Sequence, residues 1–338
     1  MGAGIFGLTI AYVCARRGAA VRVVDPCGAG AGSSGGIVGA LAPHTPERWE
    51  PKKQFQLDSL LMAQGFWADV DGLSGCASGY GRVGRLQAIA DERGLGLARE
   101  RIGQAAELWR GQAVWEVRVA RDFAGWVPPS ASGFVVHDTL SARIDPARAV
   151  ASLVAALAGL GVDVVTQSEP EGSVVWATGY EGLLAMSQEF GREMGNGVKG
   201  QSVLLDYDRG GAAQIFVDGV HFVPHDNGTL AVGSTSERYF DDPGTVGGLL
   251  DELLVRAFAI MPQLGDVAVL ARWAGVRPRA ITRAPMLGGY PGRSGHFIAN
   301  GGFKIGFGMA PKVAEVMADL VLEGVDAIPD EFRVEACL

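Results

Sequence analysis

The chain opens on MGAGIFGLTIAYVCARRGAAVRVVDP, and no other stretch constrains its fold as tightly. Gly2, Gly4 and Gly7 form a GxGxxG turn. An apolar helix follows and ends at Arg16-Arg17-Gly18, then a strand over 21–24 closes on Asp25. Each part answers a physical need. One glycine makes the tight turn, the next lets a pyrophosphate touch backbone, and the third lets helix pack closely on strand. The helix start adds amide donors and a partial positive charge for the phosphates. Asp25, 18 residues after Gly7, stands where an acid accepts from ribose hydroxyls. Gly2, Gly4, Ile5, Phe6, Gly7, Asp25 and Pro26 are therefore assigned to a dinucleotide site. A glycine-rich turn without ligand would explain the GxGxxG but not the helix, strand and acid behind it. The opening stretch is not expected to be a secretory leader, because its arginines follow the apolar run instead of preceding it. Only Met1 precedes Gly2, so the strand that leads into such a turn is expected to be cut short, with Met1 as its last residue.

Composition narrows the partners. The 338 residues carry 29 Lys and Arg against 37 Asp and Glu, a net charge of −8. That balance argues against nucleic acid or an anionic membrane, either of which asks for a basic patch. With 48% apolar and 20% charged residues the chain has ample material for a core. The four cysteines and five histidines are scattered, so no metal site and no disulfide framework are expected. No apolar run reaches the roughly 20 residues of a membrane span. A cytoplasmic protein is the expectation.

A second glycine-rich loop, GAGAGSSGGIVGALAP over 28–43, permits another close backbone approach to a flat or anionic ligand. Its apolar members Ile37, Val38 and Leu41 favour an ordered loop over a linker, and Ser33, Ser34, Gly35 and Gly36 are its candidate contacts. Helical periodicity marks 52–71 and 93–112, with a strand pair expected over 78–91. Asp145 as N-cap and Pro146 in the first turn predict a helix over 145–160. Strands are expected over 162–166 and from 174, the latter ending in the small-residue turn Ala177-Thr178-Gly179. Apolar runs separated by turn residues predict an antiparallel meander from 201 to 233, then a helix over 246–260. A last strand over 296–300 runs into Gly301-Gly302-Phe303-Lys304-Ile305-Gly306 and a closing helix over 311–323.

Further segments fall in a telling order: RIDPARAV (143–150), VVWATG (174–179), VKGQSVLLD (198–206), HFVPHDNGTLAVGST (221–235) and GVRPRAITRAPMLGG (275–289). Together with the opening fingerprint they resemble the FAD-dependent D-amino-acid oxidase superfamily, in particular glycine oxidase and monomeric sarcosine oxidase. The resemblance covers essentially the whole chain. It implies an α/β fold: a Rossmann-type FAD-binding domain from 1–77, 137–200 and 273–338, with an inserted mixed antiparallel-sheet substrate domain from 78–136 and 201–272. Ala177, Thr178 and Gly179 would pass the adenosine side. Gly301, Gly302, Phe303, Lys304 and Ile305 would aim helix amides at the flavin's pyrimidine oxygen, where a positive end stabilises the anionic reduced ring. The sarcosine-oxidase branch attaches its flavin through a cysteine shortly before the last strand. None occurs over 275–300, so the FAD is expected to be non-covalent. The short TQSEPEGS segment (166–173) implies that a hairpin of relatives is reduced, leaving the adenosine side open.

The same resemblance offers two cations for a substrate carboxylate. Arg277 matches the carboxylate clamp of glycine and D-amino-acid oxidases, where a planar fork suits a bidentate pair. Lys304 matches the lysine that serves sarcosine oxidases, and Arg279 and Arg283 are close enough to substitute. Arg277 is the first choice. His221 falls where glycine oxidases carry a pocket tyrosine, and either lines the substrate site or is a satisfied core residue. The implied reaction is oxidation of the C–N bond of glycine, sarcosine or a D-amino acid by hydride transfer to flavin, followed by imine hydrolysis. Oxygen or another acceptor would take the electrons. A quinone-linked dehydrogenase, the oxidative half of a tRNA-modifying enzyme and a cofactor-poor remnant are the alternatives, and the acidic charge counts against tRNA. The sequence leaves open the amino acid, the acceptor and whether the protein is an oligomer.

Overall fold

In the computed structural model every residue except Ala124 is described. The glycine turn leads into the helix Ile5–Arg16, with Gly4 at its N-cap. This helix packs against Gly306–Ala318, and Pro51–Ser74 and Pro146–Gly159 close the same apolar core. The last two start as their sequences require, each with proline in the first turn, where no amide hydrogen is needed. Asp145 accepts from the Arg148 amide and caps the second of them. Pro51–Ser74 stops at Gly75, left-handed at φ 67°, whose amide bonds Asp71 O.

Short parallel strands lie against these helices. Val23–Val24 pairs with Val164–Val165, and Val174–Trp176 pairs with His296–Asn300, which in turn runs antiparallel to Met286–Gly289. The backbone of Met1 and Gly2 links the two pieces. Ala177 N donates to Met1 O at 2.8 Å, and Gly2 N to Val24 O at 2.7 Å.

The second layer is a mixed sheet of eight strands. Its order is Val269–Ala280, Gly195–Leu205, Leu230–Gly233, Val220–Pro224, Gln214–Val217, Arg85–Ala88, Phe134–Asp138, Trp115–Val119. Gln214–Val217 and Arg85–Ala88 are parallel, and the other neighbours are antiparallel. Helix Gly248–Ile260 covers one face over a core that includes Val203, Phe222, Leu250 and Leu253.

Several expectations change in detail. Residues 78–91 give one strand, not a pair, because Gly79 and Gly84 turn left-handed (φ 74° and 76°) and break the run. The strand Gly195–Leu205 lies beside the last strand of the meander, not its first. The closing helix begins at Gly306, with Pro311 inside it, and widens into a π-type turn at Asp319–Glu323. Proline at 311 suggests a helix start there, but its ring is accommodated early in the helix instead. The expected limits at 136/137, 200/201 and 272/273 all fall inside strands of the large sheet.

Candidate active site

Close approach, not flexibility, explains the first glycines. Gly2 is left-handed (φ 98°), and a Cβ there would stand 2.3 Å from Ala177 O. A Cβ on Gly7 would stand 1.9 Å from Gly2 O. Only glycine lets strand end, turn and helix meet at these two points. Asp25 fastens the turn from the other side. Its Oδ2 accepts from Ala3 N at 2.8 Å and its Oδ1 from Cys27 N at 2.9 Å. Each oxygen keeps a further lone pair, so the carboxylate can still accept from a hydroxyl. Ser34 Oγ accepts from Ile5 N at 2.9 Å and pins the serine-glycine loop, Ser33 to Gly36, to the helix start.

A second helix start lies beside the first, a Cβ on Gly306 coming 3.5 Å from Ile5 Cγ2. Neither Ile5–Arg16 nor Gly306–Ala318 has an acid in its first turn or a side chain on its N-cap position bonding its amides. Apart from the Ile5 amide, which Ser34 Oγ occupies, their positive ends are open to a ligand. Phe6 packs against the turn of Gly301 to Ile305, since a Cβ on Gly302 would come 2.9 Å from Phe6 Cζ. Phe303 N donates to Pro278 O at 2.9 Å, which holds that turn against the strand of Arg277. Asn300 Nδ2 donates to Gly179 O at 2.9 Å and fixes the Ala177-Thr178-Gly179 turn beside Gly2. Pro26 lies exposed at the strand end. Glycine cradle, acid and two helix starts without a capping side chain at the N-cap fit the pyrophosphate, ribose and polar flavin edge of FAD.

At the other end Arg277 lies across Gly200 of the paired strand, where a Cβ would be 2.0 Å from its Nη1. Its Nη2 donates to Ser234 Oγ at 2.7 Å and its Nη1 to Thr235 O at 3.3 Å. Both partners are neutral, which leaves donors of the fork for an anion. Burial lowers its pKa to about 10, against the opposing pull of Glu237, so it stays a cation at neutral pH. His221 stacks on Phe216 with ring centroids 4.5 Å apart, and its Nδ1 is shut off from solvent without a partner. Burial first, then the charges of Arg85, Lys304 and Arg277, push its pKa down to about 3. The ring is therefore neutral, and it shares a field with three cations. Lys304 remains exposed, with its pKa lowered by desolvation and by Arg277. Arg279 lies over the Phe303 ring at 6.0 Å, while Arg283 is exposed on a left-handed turn (φ 63°).

Sequence reasoning missed several neighbours. Ser234 and Thr235 bond Arg277 and Glu237 acts on its charge; the first two close the 221–235 segment, which gives no sign that they hold an arginine, and Glu237 lies beyond it. Arg85, paired with Asp138 at 3.1 Å, reaches the site from a strand distant in sequence. Trp273 lies against Gly36, 3.4 Å from its Cβ position, and over Gly275. Gly200 carried a signal, since glycine inside a strand marks close approach.

Fold and geometry together define the class: an α/β oxidoreductase built around a dinucleotide cofactor. Residues 1–320 match the family described as FAD dependent oxidoreductase, and the chain belongs to that family, with FAD as its cofactor. It is 26% identical to glycine oxidase of Geobacillus kaustophilus over 348 residues, covering 95% of this chain and 91% of that protein. Against glycine oxidase of Pseudomonas putida the identity is 31% over 134 residues, 39% of this chain and 36% of the relative. The structure of the Geobacillus glycine oxidase superposes with TM-score 0.83 and 21% identity over 98% of this chain and 96% of that one. Iminodiacetate oxidase from Chelativorans sp. BNC1 gives TM-score 0.83 and 21% identity over 98% and 97%. Among the described residues no helix is long and apolar enough to cross a membrane.

Proposed function

We propose that this enzyme oxidises the C–N bond of a small amino acid whose carboxylate is held by Arg277. The carrying observation is that guanidinium: half-buried, bonded only to neutral oxygens, and laid over a glycine beside the cofactor turn. The glycine oxidases among its relatives support the choice of substrate class. FAD, held without a covalent bond, supplies the two-electron acceptor for a hydride from the substrate carbon. The chain's own residues do the rest. Arg277 fixes the carboxylate and so aims the neighbouring carbon, with Lys304 as the alternative partner. The concentration of positive charge repels an ammonium, so the amine enters as free base. His221, neutral, accepts a hydrogen bond from it through a ring nitrogen. Water then hydrolyses the imine to a 2-oxo acid, glyoxylate in the case of glycine or sarcosine, with release of ammonia or methylamine.

Purified protein is mixed under nitrogen with glycine, sarcosine or D-alanine while its visible flavin absorbance is followed. Bleaching by one of these, with keto-acid product, is the expected result, and peroxide formed in air identifies an oxidase. Unchanged absorbance with all of a wide panel of amino acids sinks the proposal. Acid precipitation tests the cofactor linkage: the yellow colour should stay in the supernatant.

A further inference from the structure

Three cations, Arg277, Arg279 and Lys304, lie around the Phe303 turn, more than one substrate carboxylate needs. Arg277 and Arg279 are two apart on Val269–Ala280, so their side chains leave the same face of the strand about 6.5 Å apart. Lys304 reaches that face because Phe303 N is bonded to Pro278 O, the residue between the two arginines. Arg279 and Lys304 both lean on the Phe303 ring, at 6.0 and 5.6 Å, and among the described residues neither has a carboxylate partner. Arg277 bonds only neutral oxygens. Among the described residues Glu237 is the acid whose charge acts on Arg277, and its side chain already accepts from Thr235 Oγ1 and from Gln201 Nε2 at 2.9 Å. An aromatic ring flanked by two unpaired cations, next to a third that clamps a carboxylate, is a second anion subsite.

We infer that the substrate is a dianionic amine, whose second carboxylate is met by Arg279 and Lys304 at the edge of the Phe303 ring while Arg277 holds the first. The inference rests on the amino-acid reading proposed above. Two kinds of compound share the chemistry: an amine carrying a carboxymethyl group on nitrogen, and an amino acid with an acidic side chain. Both place two carboxylates around one oxidisable C–N bond.

The test separates binding from turnover. Oxidised holoenzyme is titrated with diglycolate, a dianionic ether, and with methoxyacetate, its monoanionic counterpart, neither of which has an amine to oxidise. Perturbation of the flavin spectrum reports the dissociation constants. Diglycolate should bind about fivefold more tightly at low salt, as a partly exposed extra charge pair allows. The preference should shrink with added salt. Arg279→Gln should bring the ratio close to one, and Arg279→Lys, which keeps the charge, should retain most of it. Equal binding of the two ethers overturns the inference, as does a preference untouched by Arg279→Gln. Turnover with iminodiacetate, D-aspartate and sarcosine then tells the readings apart. Bleaching by sarcosine alone leaves amine oxidation standing and removes the dianion. Bleaching by iminodiacetate or by D-aspartate identifies which side of the amine carries the second carboxylate. Diglycolate preference without bleaching by any amine keeps the subsite and removes amine oxidation.

Discussion

Single residues carry the sharpest expectations. Arg277→Ala leaves a buried anion without its fork, so the substrate's apparent Michaelis constant should rise by an amount equivalent to about 2–5 kcal/mol. Arg277→Lys should fall between, and flavin content should stay at wild-type level in both, since the guanidinium is bonded to the Ser234–Thr235 loop and not to the glycine cradle. Gly200→Ala tests the same site without touching its chemistry. The new methyl would occupy the space of the guanidinium, whose flexible end must swing aside, so folding stability should change little while the clamp is displaced. Steady-state kinetics should show a raised Michaelis constant beside full flavin occupancy. Asp25 predicts the opposite pattern. Its two oxygens tie Ala3 and Cys27 together, so Asp25→Ala should lose flavin on gel filtration while the holo fraction turns over normally. A flavin-to-protein ratio equal to wild type would free Asp25 from that role.

Elements were legible in the sequence where local chemistry decides them. The first helix, the Asp145 cap and the strand His296–Asn300 stand where pattern and capping rules put them. Local rules fail where a distant partner decides. The sequence order of 201 to 233 gives a meander, but only pairing with Val269–Ala280 and Leu230–Gly233 fixes where Gly195–Leu205 lies. The site divides the same way. The opening turn is a contiguous fingerprint with local meaning; Ser234 closes the 221–235 segment and Glu237 follows it, but their link to Arg277 depends on strand pairing distant in sequence. Ser34 gives a test at this scale. Its Oγ is the acceptor for the Ile5 amide, so Ser34→Ala should destabilise the first helix by about 1 kcal/mol and loosen flavin retention. Chemical denaturation of the apo form, compared with that of the flavin-loaded form, measures both.

At the scale of the whole molecule, the depressed histidines set the acid limit. Burial lowers the pKa of His44, His221 and His225, so between the ordinary value near 6.5 and the folded value the unfolded chain binds protons that the folded chain refuses. Stability is then complete above pH 6.5 and falls as pH drops, with the His221 share continuing to fall until about pH 3. By pH 4.5 that share amounts to roughly 2–3 kcal/mol. Urea midpoints at pH 7 and 4.5 check it: His221→Asn should lose clearly less than wild type over that interval.

The long strand that carries Arg277 also bears on how the chain can be divided. Its first residues are zipped to Leu205 in the large sheet, and its last, Ala280, touches the Gly301 turn of the cofactor side. One ribbon thus belongs to both halves. A protease nick or a gene split near residue 200 or 273 would leave each piece missing an edge, so neither should survive alone, and calorimetry should record a single endotherm. A short loop insertion should be tolerated at surface turns such as Asp218–Gly219, and should fail wherever it opens that ribbon.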